Sequence, residues 1–211
     1  ESTFGERLVD ETDYFANADL HCRRAEKVAS QAKEMLGGMA TLLRVLDNCV
    51  VCSGLQLGNF GRAYSKGHEA RIISQRSADN RIKLKFWSNW SEVLLRMGKA
   101  KEAEEVLVEA IRVSREVTGE YLLPDLLTLY AETGQLLKRK DAARRFSDAL
   151  NIHPEGSTTD VAGFCHVKAS LFYMEEGDLL KARQYVSQAV RISESEQNQS
   201  KKLAAMAKMA G

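Results

Sequence analysis

Proline is nearly missing from this chain. Only Pro124 and Pro154 occur in 211 residues, and alternating β-branched stretches are scarce, which removes the usual material of strands and loop-rich folds. Cysteine is sparse as well: four scattered residues cannot build the disulfide framework of a small secreted domain, and they suit a thiol-reducing compartment. Charge of one sign is also lacking. With 30 Lys and Arg against 29 Asp and Glu the net charge is +1, so bulk electrostatics makes no case for a nucleic-acid or membrane partner. No apolar run reads as long enough to span a bilayer, and no basic start followed by an apolar core marks a signal peptide. The expectation is a soluble protein of the cytoplasm, or of the nucleus, with no membrane partner. Two glycosylation sequons, Asn89-Trp90-Ser91 and Asn198-Gln199-Ser200, are therefore expected to stay unmodified. The chain opens on Glu1 rather than Met, as expected of a segment of a longer protein or complex.

What fills the chain is Ala, Leu, Glu, Lys and Arg, with apolar positions recurring three and four apart, the period of an amphipathic helix. Breaks fall near Gly37-Gly38, Gly58, Asp79-Asn80, Gly98, Gly119, Lys138-Arg139, residues 154–160 and Gly177. They outline an all-α chain of about ten helices, roughly 12 to 20 residues each, joined by short turns.

Laid against itself, the chain repeats. LGNFGRAYSKGHEA carries Gly58, Ala63 and Ala70; MGKAKEAEEVLVEA carries Gly98, Ala103 and Ala110; EGDLLKARQYVSQA carries Gly177, Ala182 and Ala189. A fourth copy, KRKDAARRFSDALNIHP, keeps Ala142 and Ala149, with Leu137 where the glycine would be. The first alanines, at 63, 103, 142 and 182, are 40, 39 and 40 residues apart, and Ala25 with Ala32 suggests a worn first copy. A glycine free to take positive φ ends one helix, and small alanines let the returning helix approach closely. Each unit is thus expected to be a helical hairpin, and a hairpin that cannot bury its own apolar face stacks on the next.

At these residues the chain resembles the tetratricopeptide repeat family. The fullest matches are Trp87, Leu94, Gly98, Ala103, Leu107 and Ala110 in one unit, and Leu129, Ala142, Phe146, Ala149 and Pro154 in the next; Tyr173, Gly177, Ala182 and Ala189 match in the last. The units run to 40 residues instead of the usual 34 and lack the Leu-Gly pair of the first helix. The resemblance implies a right-handed α-α superhelix of antiparallel hairpins over residues 1–211. Its expected parts are a degenerate first hairpin at 3–37, repeats at 44–78, 84–118, 123–155 and 163–195, and a capping helix at 197–211.

Several motifs invite chemistry. Cys49 and Cys52 form a CxxC within the first helix of their unit, without a second pair to complete a zinc site and without the strand-to-helix setting of a redox dithiol. They read as packing or groove-lining thiols, against the alternative of metal or redox chemistry. Cys22 beside His21 and Cys165 beside His166 read the same way. GNFG at 58–61 is a hairpin turn before it is a nucleic-acid loop, since such a loop needs strands nearby. Seven basic residues between Arg62 and Lys85 stand against Glu69 and Asp79 and are either a solvated face or a phosphate-binding patch. Trp87 is a core residue by its place in the repeat. KKLAAMAKMA, residues 201–210, is amphipathic, either a cap or a partner-binding helix. No phosphate loop, HExxH or nucleophile elbow is present, and the reading is a non-enzymatic chain without catalytic residues, metal or cofactor.

The resemblance further implies that first helices line a concave groove. Asn48, Cys52, Gln56, Lys85, Asn89, Glu92, Arg96, Thr128, Gln135, Lys168 and Glu175 are carried over as its residues. Amides in such a groove bond an extended peptide's backbone and charges select its side chains. The expected partner is an extended peptide or helix of another protein; the alternative is a regulatory or nucleic-acid module using the basic 62–85 face.

Overall fold

The computed structural model describes residue 20 and residues 22–31, 38–119, 122–153, 157 and 159–195. The chain is all-α, with no strand among the described residues. Residues 22–31 are helical (α1). There follow α2 (Gly38–Val50), which runs on into a π-helical turn at Val51–Gln56, α3 (Phe60–Arg76), α4 (Asn80–Arg96) and α5 (Ala100–Glu116). After these come α6 (Leu123–Leu136), α7 (Ala142–Asn151), α8 (Asp160–Glu175) and α9 (Leu179–Ser193). Two compact units result, Glu1–Tyr121 and Leu122–Gly211. Most of the expected first hairpin at 3–37, the segment 197–211 and Pro154 lie outside the described residues.

Helix starts follow side-chain caps. Asn59, Asp79, Thr159 and Asp178 each accept a backbone N–H from the first turn they precede, satisfying donors that a helix start leaves open. The helices place the hairpins at 38–76, 80–116, 123–151 and 160–193, so three of the four begin several residues before the expected 44, 84 and 163. The Gly/Ala repeat marks where helices pack, and the caps mark where they begin.

In the first unit α2 packs on α3 and α4, and α5 packs on α4. The repeat alanines Ala63, Ala70, Ala103 and Ala110 are fully buried, beside Leu43, Leu46, Leu84, Phe86, Leu94 and Leu107. Burying a Leu or Phe side chain of this kind stabilises by about 1.5–3 kcal/mol. Both tryptophans are core: Trp87 donates its indole N–H to Ser74 Oγ at 3.3 Å, and Trp90 packs against the bare backbone of Gly67. A Cβ on Gly67 would sit 2.2 Å from Cζ3 of Trp90. Ala25, aligned with the hairpin alanines in sequence, is exposed, and Ala29 is the buried residue of α1. A seven-residue spacing alone fits more than one register on a helix.

The second unit pairs α6 with α7 and α8 with α9, and α8 also packs on α6 and α7. Phe146 and Phe172 stack at 5.0 Å over Ala131, Ala142 and Ala169, while Ala162, Val167, Ala189 and Ile192 form a second cluster. Arg145 is buried, yet its guanidinium lies 3.8 Å from the Tyr130 ring centre and its Nε donates to Asp141 at 3.1 Å. Both contacts lessen the cost of removing that charge from water.

The hairpin turns confirm the glycine logic and correct it once. Gly58, Gly98 and Gly177 adopt φ of 65°, 72° and 79°. In the α6–α7 turn the left-handed residue is Lys138, at φ 51°, not Leu137, whose φ is −86°. Lys138 N–H bonds Gln135 O and Arg139 N–H bonds Gly134 O, as Gly98 and Lys99 bond Leu95 and Leu94. Lys138 precedes its repeat alanine, Ala142, by four positions where the turn glycines precede theirs by five, which is why counting back from Ala142 lands on Leu137. One further expectation changes. Gly38–Gln56, 19 residues, is long and apolar enough by length and composition to cross a membrane, and half of it is buried inside the protein, as in an ordinary core helix.

Candidate functional site

The π-helical turn positions the site. Leu57 N–H reaches back to Cys52 O at 3.0 Å, widening the end of α2 by one residue. Such insertions reorient side chains locally and recur at functional sites. Here the widening runs along a groove between α1 and α2. Its lining is Cys22 and Ala25 from α1 and Val45, Asn48, Cys49, Val51, Cys52 and Gln56 from the other wall, enclosing about 410 Å³. Asn48 and Gln56 are exposed at its rim, Cys52 is half-buried, and Cys49 is fully buried at its floor. Three of the residues expected in a groove, Asn48, Cys52 and Gln56, therefore meet in one.

All four cysteines are free thiols. Cys22 lines the same groove as Cys49 and Cys52 and perturbs both thiols. Burial, reinforced by Cys22 and the Glu26 carboxylate, pushes the Cys49 thiol far up; Lys66 pulls it back slightly. Burial raises Cys52 too. Both stay protonated at neutral pH. In the second unit, burial raises Cys165 to about 11, and Thr128 draws it down in part. No group of three or more His, Cys, Asp or Glu among the described residues is arranged to hold a metal ion.

The remaining expected groove residues are distributed differently. On α4, Lys85 is exposed, but Asn89 donates its side-chain amide to both carboxylate oxygens of Asp47, at 2.9 and 3.0 Å. Asp47 is buried on α2; burial raises its pKa, and Asn89 and the Lys85 charge oppose that rise. Glu92 and Arg96 pair with each other at 2.7 Å. In the second unit Gln135 donates to Glu175 at 2.8 Å, and Lys168 donates to Glu132 at 2.5 Å. Thr128 is buried, its hydroxyl donating to Pro124 O at 2.9 Å, so it is a core residue. A period of three and four puts polar residues on one face but does not show which of them satisfy each other. Sequence reasoning missed Cys22 and Ala25 because their wall belongs to α1, where the repeat is worn, and Val45 because it is an apolar residue of α2 among carried-over positions that are mostly polar.

The basic stretch is partly spoken for. Lys66 bridges Glu26 and Glu69, and Lys83 lies 5.8 Å from the Trp87 ring centre. The Asn89 sequon is also closed: its asparagine is bonded to Asp47 and Ser91 is fully buried.

No protein-family model matches the chain, and no curated protein matches it in sequence. Among solved structures, the chain is similar to BtubC (BKLC) from P. vanneervenii, with 16% identity, a TM-score of 0.71, and coverage of 93% of this chain and 81% of that one. At that identity the likeness concerns the fold alone.

Proposed function

We propose that the chain is a non-enzymatic binding scaffold of the tetratricopeptide type, a segment of a larger protein or complex, whose α1–α2 groove takes an extended peptide of a partner protein. The observation that carries this reading is the convergence of Asn48, Cys52 and Gln56 on one groove about 410 Å³ in volume. Two rim amides supply donors and acceptors for a peptide backbone, and Ala25, Val45, Val51 and the thiols line an apolar seat for one side chain. The buried repeat alanines and the left-handed turn glycines support the family reading.

The test is selection of peptides from a random display library on the immobilised chain, followed by titration against variants. Asn48→Ala with Gln56→Ala is expected to weaken selected peptides about tenfold, the loss of two hydrogen bonds of about 0.5–1.5 kcal/mol each. Arg71→Glu with Arg76→Glu on α3 is the control and is expected to bind normally. Loss of binding in the control alone, with a steep salt dependence, would transfer the function to the basic 62–85 face and to phosphate.

A further inference from the structure

Three of the four cysteines meet in the groove. Two of them, Cys49 and Cys52, stand three apart on α2 and its π-helical turn; the third, Cys22, lines the groove from α1. The α1 wall is tied to α3 by the Lys66–Glu26 ion pair and buries Ala29. Thiols that face one groove from two helices can be joined by a disulfide where their Cα atoms stand about 4.4–6.8 Å apart and their Cβ atoms are directed at each other.

We propose that Cys22 closes a reversible disulfide onto α2, to Cys49 or Cys52, and that this bond shuts the peptide groove. The inference rests on the groove reading above and supplies its regulation. Cys22 is half-buried at the groove and Cys49 is fully buried, so an oxidant in solution meets Cys22 before it meets Cys49. The oxidant is a low-molecular-weight disulfide of the glutathione type. In the first step the Cys22 thiolate attacks one sulfur of that disulfide, forming a mixed disulfide and releasing one small thiolate. In the second, the Cys49 or Cys52 thiolate attacks Cys22 Sγ, forming the protein disulfide and releasing the second small thiolate. Two protein thiols lose two protons and two electrons; the small disulfide gains both and leaves as two thiols.

Geometry decides which bond regulates. A Cys49–Cys52 bond would lie within α2 and its own turn and leave the groove open. Either bond to Cys22 spans the groove and fixes α1 to α2. Because burial holds the α2 thiols protonated, the second step is slow at neutral pH and quickens as pH rises.

The experiment treats the full chain with oxidised glutathione and maps disulfides by non-reducing peptide mass spectrometry. Wild type is expected to give Cys22 linked to Cys49 or to Cys52, reversed by dithiothreitol, and Cys22→Ser is expected to give neither. A Cys49–Cys52 product, an intermolecular product only, or none would overturn the proposal. Cys49→Ala and Cys52→Ala, each checked for an unchanged melting transition, identify the resolving thiol. A peptide selected on the reduced chain is expected to bind the oxidised chain at least about tenfold more weakly, since the open form becomes the minor state, and to bind Cys22→Ser equally under both conditions. Equal binding by oxidised and reduced wild type overturns the gating. If the reduced chain retains no peptide at all, the scaffold reading fails; the gate then falls with it, while the mapping separately records whether the bond forms.

Discussion

Asn89 and Asp47, 42 positions apart, are joined by both carboxylate oxygens of one and the side-chain amide of the other, at 2.9 and 3.0 Å. Asp47 is buried, so Asn89 serves as its hydrogen-bond donor and fastens α4 to α2. Asn89→Ala is therefore expected to lower stability by about 2 kcal/mol, the cost of stranding a buried charged acceptor. Chemical denaturation of Asn89→Ala, Asp47→Ala and the double variant checks it. The double variant should lose less than the sum of the two, because the pair fails together.

Gly67 allows Trp90 to lie against α3. With a Cβ placed 2.2 Å from Cζ3, Gly67→Ala must push the indole or the helix aside. Overpacking of this kind costs about 1–3 kcal/mol, and the gain in helix propensity of up to about 1 kcal/mol does not offset it. A thermal melt no lower than wild type would mean that Trp90 has room to move. Tryptophan fluorescence should shift in the same variant.

Lys138 holds a left-handed conformation that glycine holds in the three other hairpin turns. Lys138→Gly removes that strain and is expected to stabilise the second unit by about 0.5–1 kcal/mol, the strain relieved being partly offset by glycine's extra freedom in the unfolded chain. The converse change, Gly98→Ala, is expected to cost about 1 kcal/mol. No heavy atom stands within 4 Å of its new Cβ, so backbone strain is the whole effect. Paired melts of the two variants check both signs.

Two histidines give the second unit an acid sensitivity. Burial, aided by the charge of His166, lowers the His153 pKa; burial and Arg191 lower that of His166, against a rise from its hydrogen bond to Ala162 O. Tyr185, on α9, faces His166 at 6.0 Å between ring centres. An unfolded histidine titrates near 6.5, so between that value and the lower folded values the unfolded chain binds more protons. Stability is thus complete above about pH 6.5 and falls as pH drops below it. Denaturation at stepped pH should show this fall, and His166→Gln should flatten it.

Much of the fold was legible along the chain. Helical periodicity and scarce proline gave an all-α protein, and glycines with alanines seven apart placed four hairpins whose repeat alanines are buried as expected. Those signals are local: they depend on backbone conformation at one residue and on side-chain size along one helix face. Four helix starts were also present, in Asn59, Asp79, Thr159 and Asp178, but the packing repeat drew the boundaries elsewhere. What the tertiary structure alone decided is which polar residues satisfy one another and which remain at a surface. Asn48 and Asn89 are both asparagines on first helices. Asn48 stands at the groove rim because α1 lies beside it, while Asn89 is bound to Asp47 because α4 packs on α2. The same holds for the thiols, since CxxC spacing says nothing of a third cysteine 27 residues upstream of Cys49 that lines the same groove from another helix. Long-range partnership is set by how helices pack, and a one-dimensional pattern does not contain it.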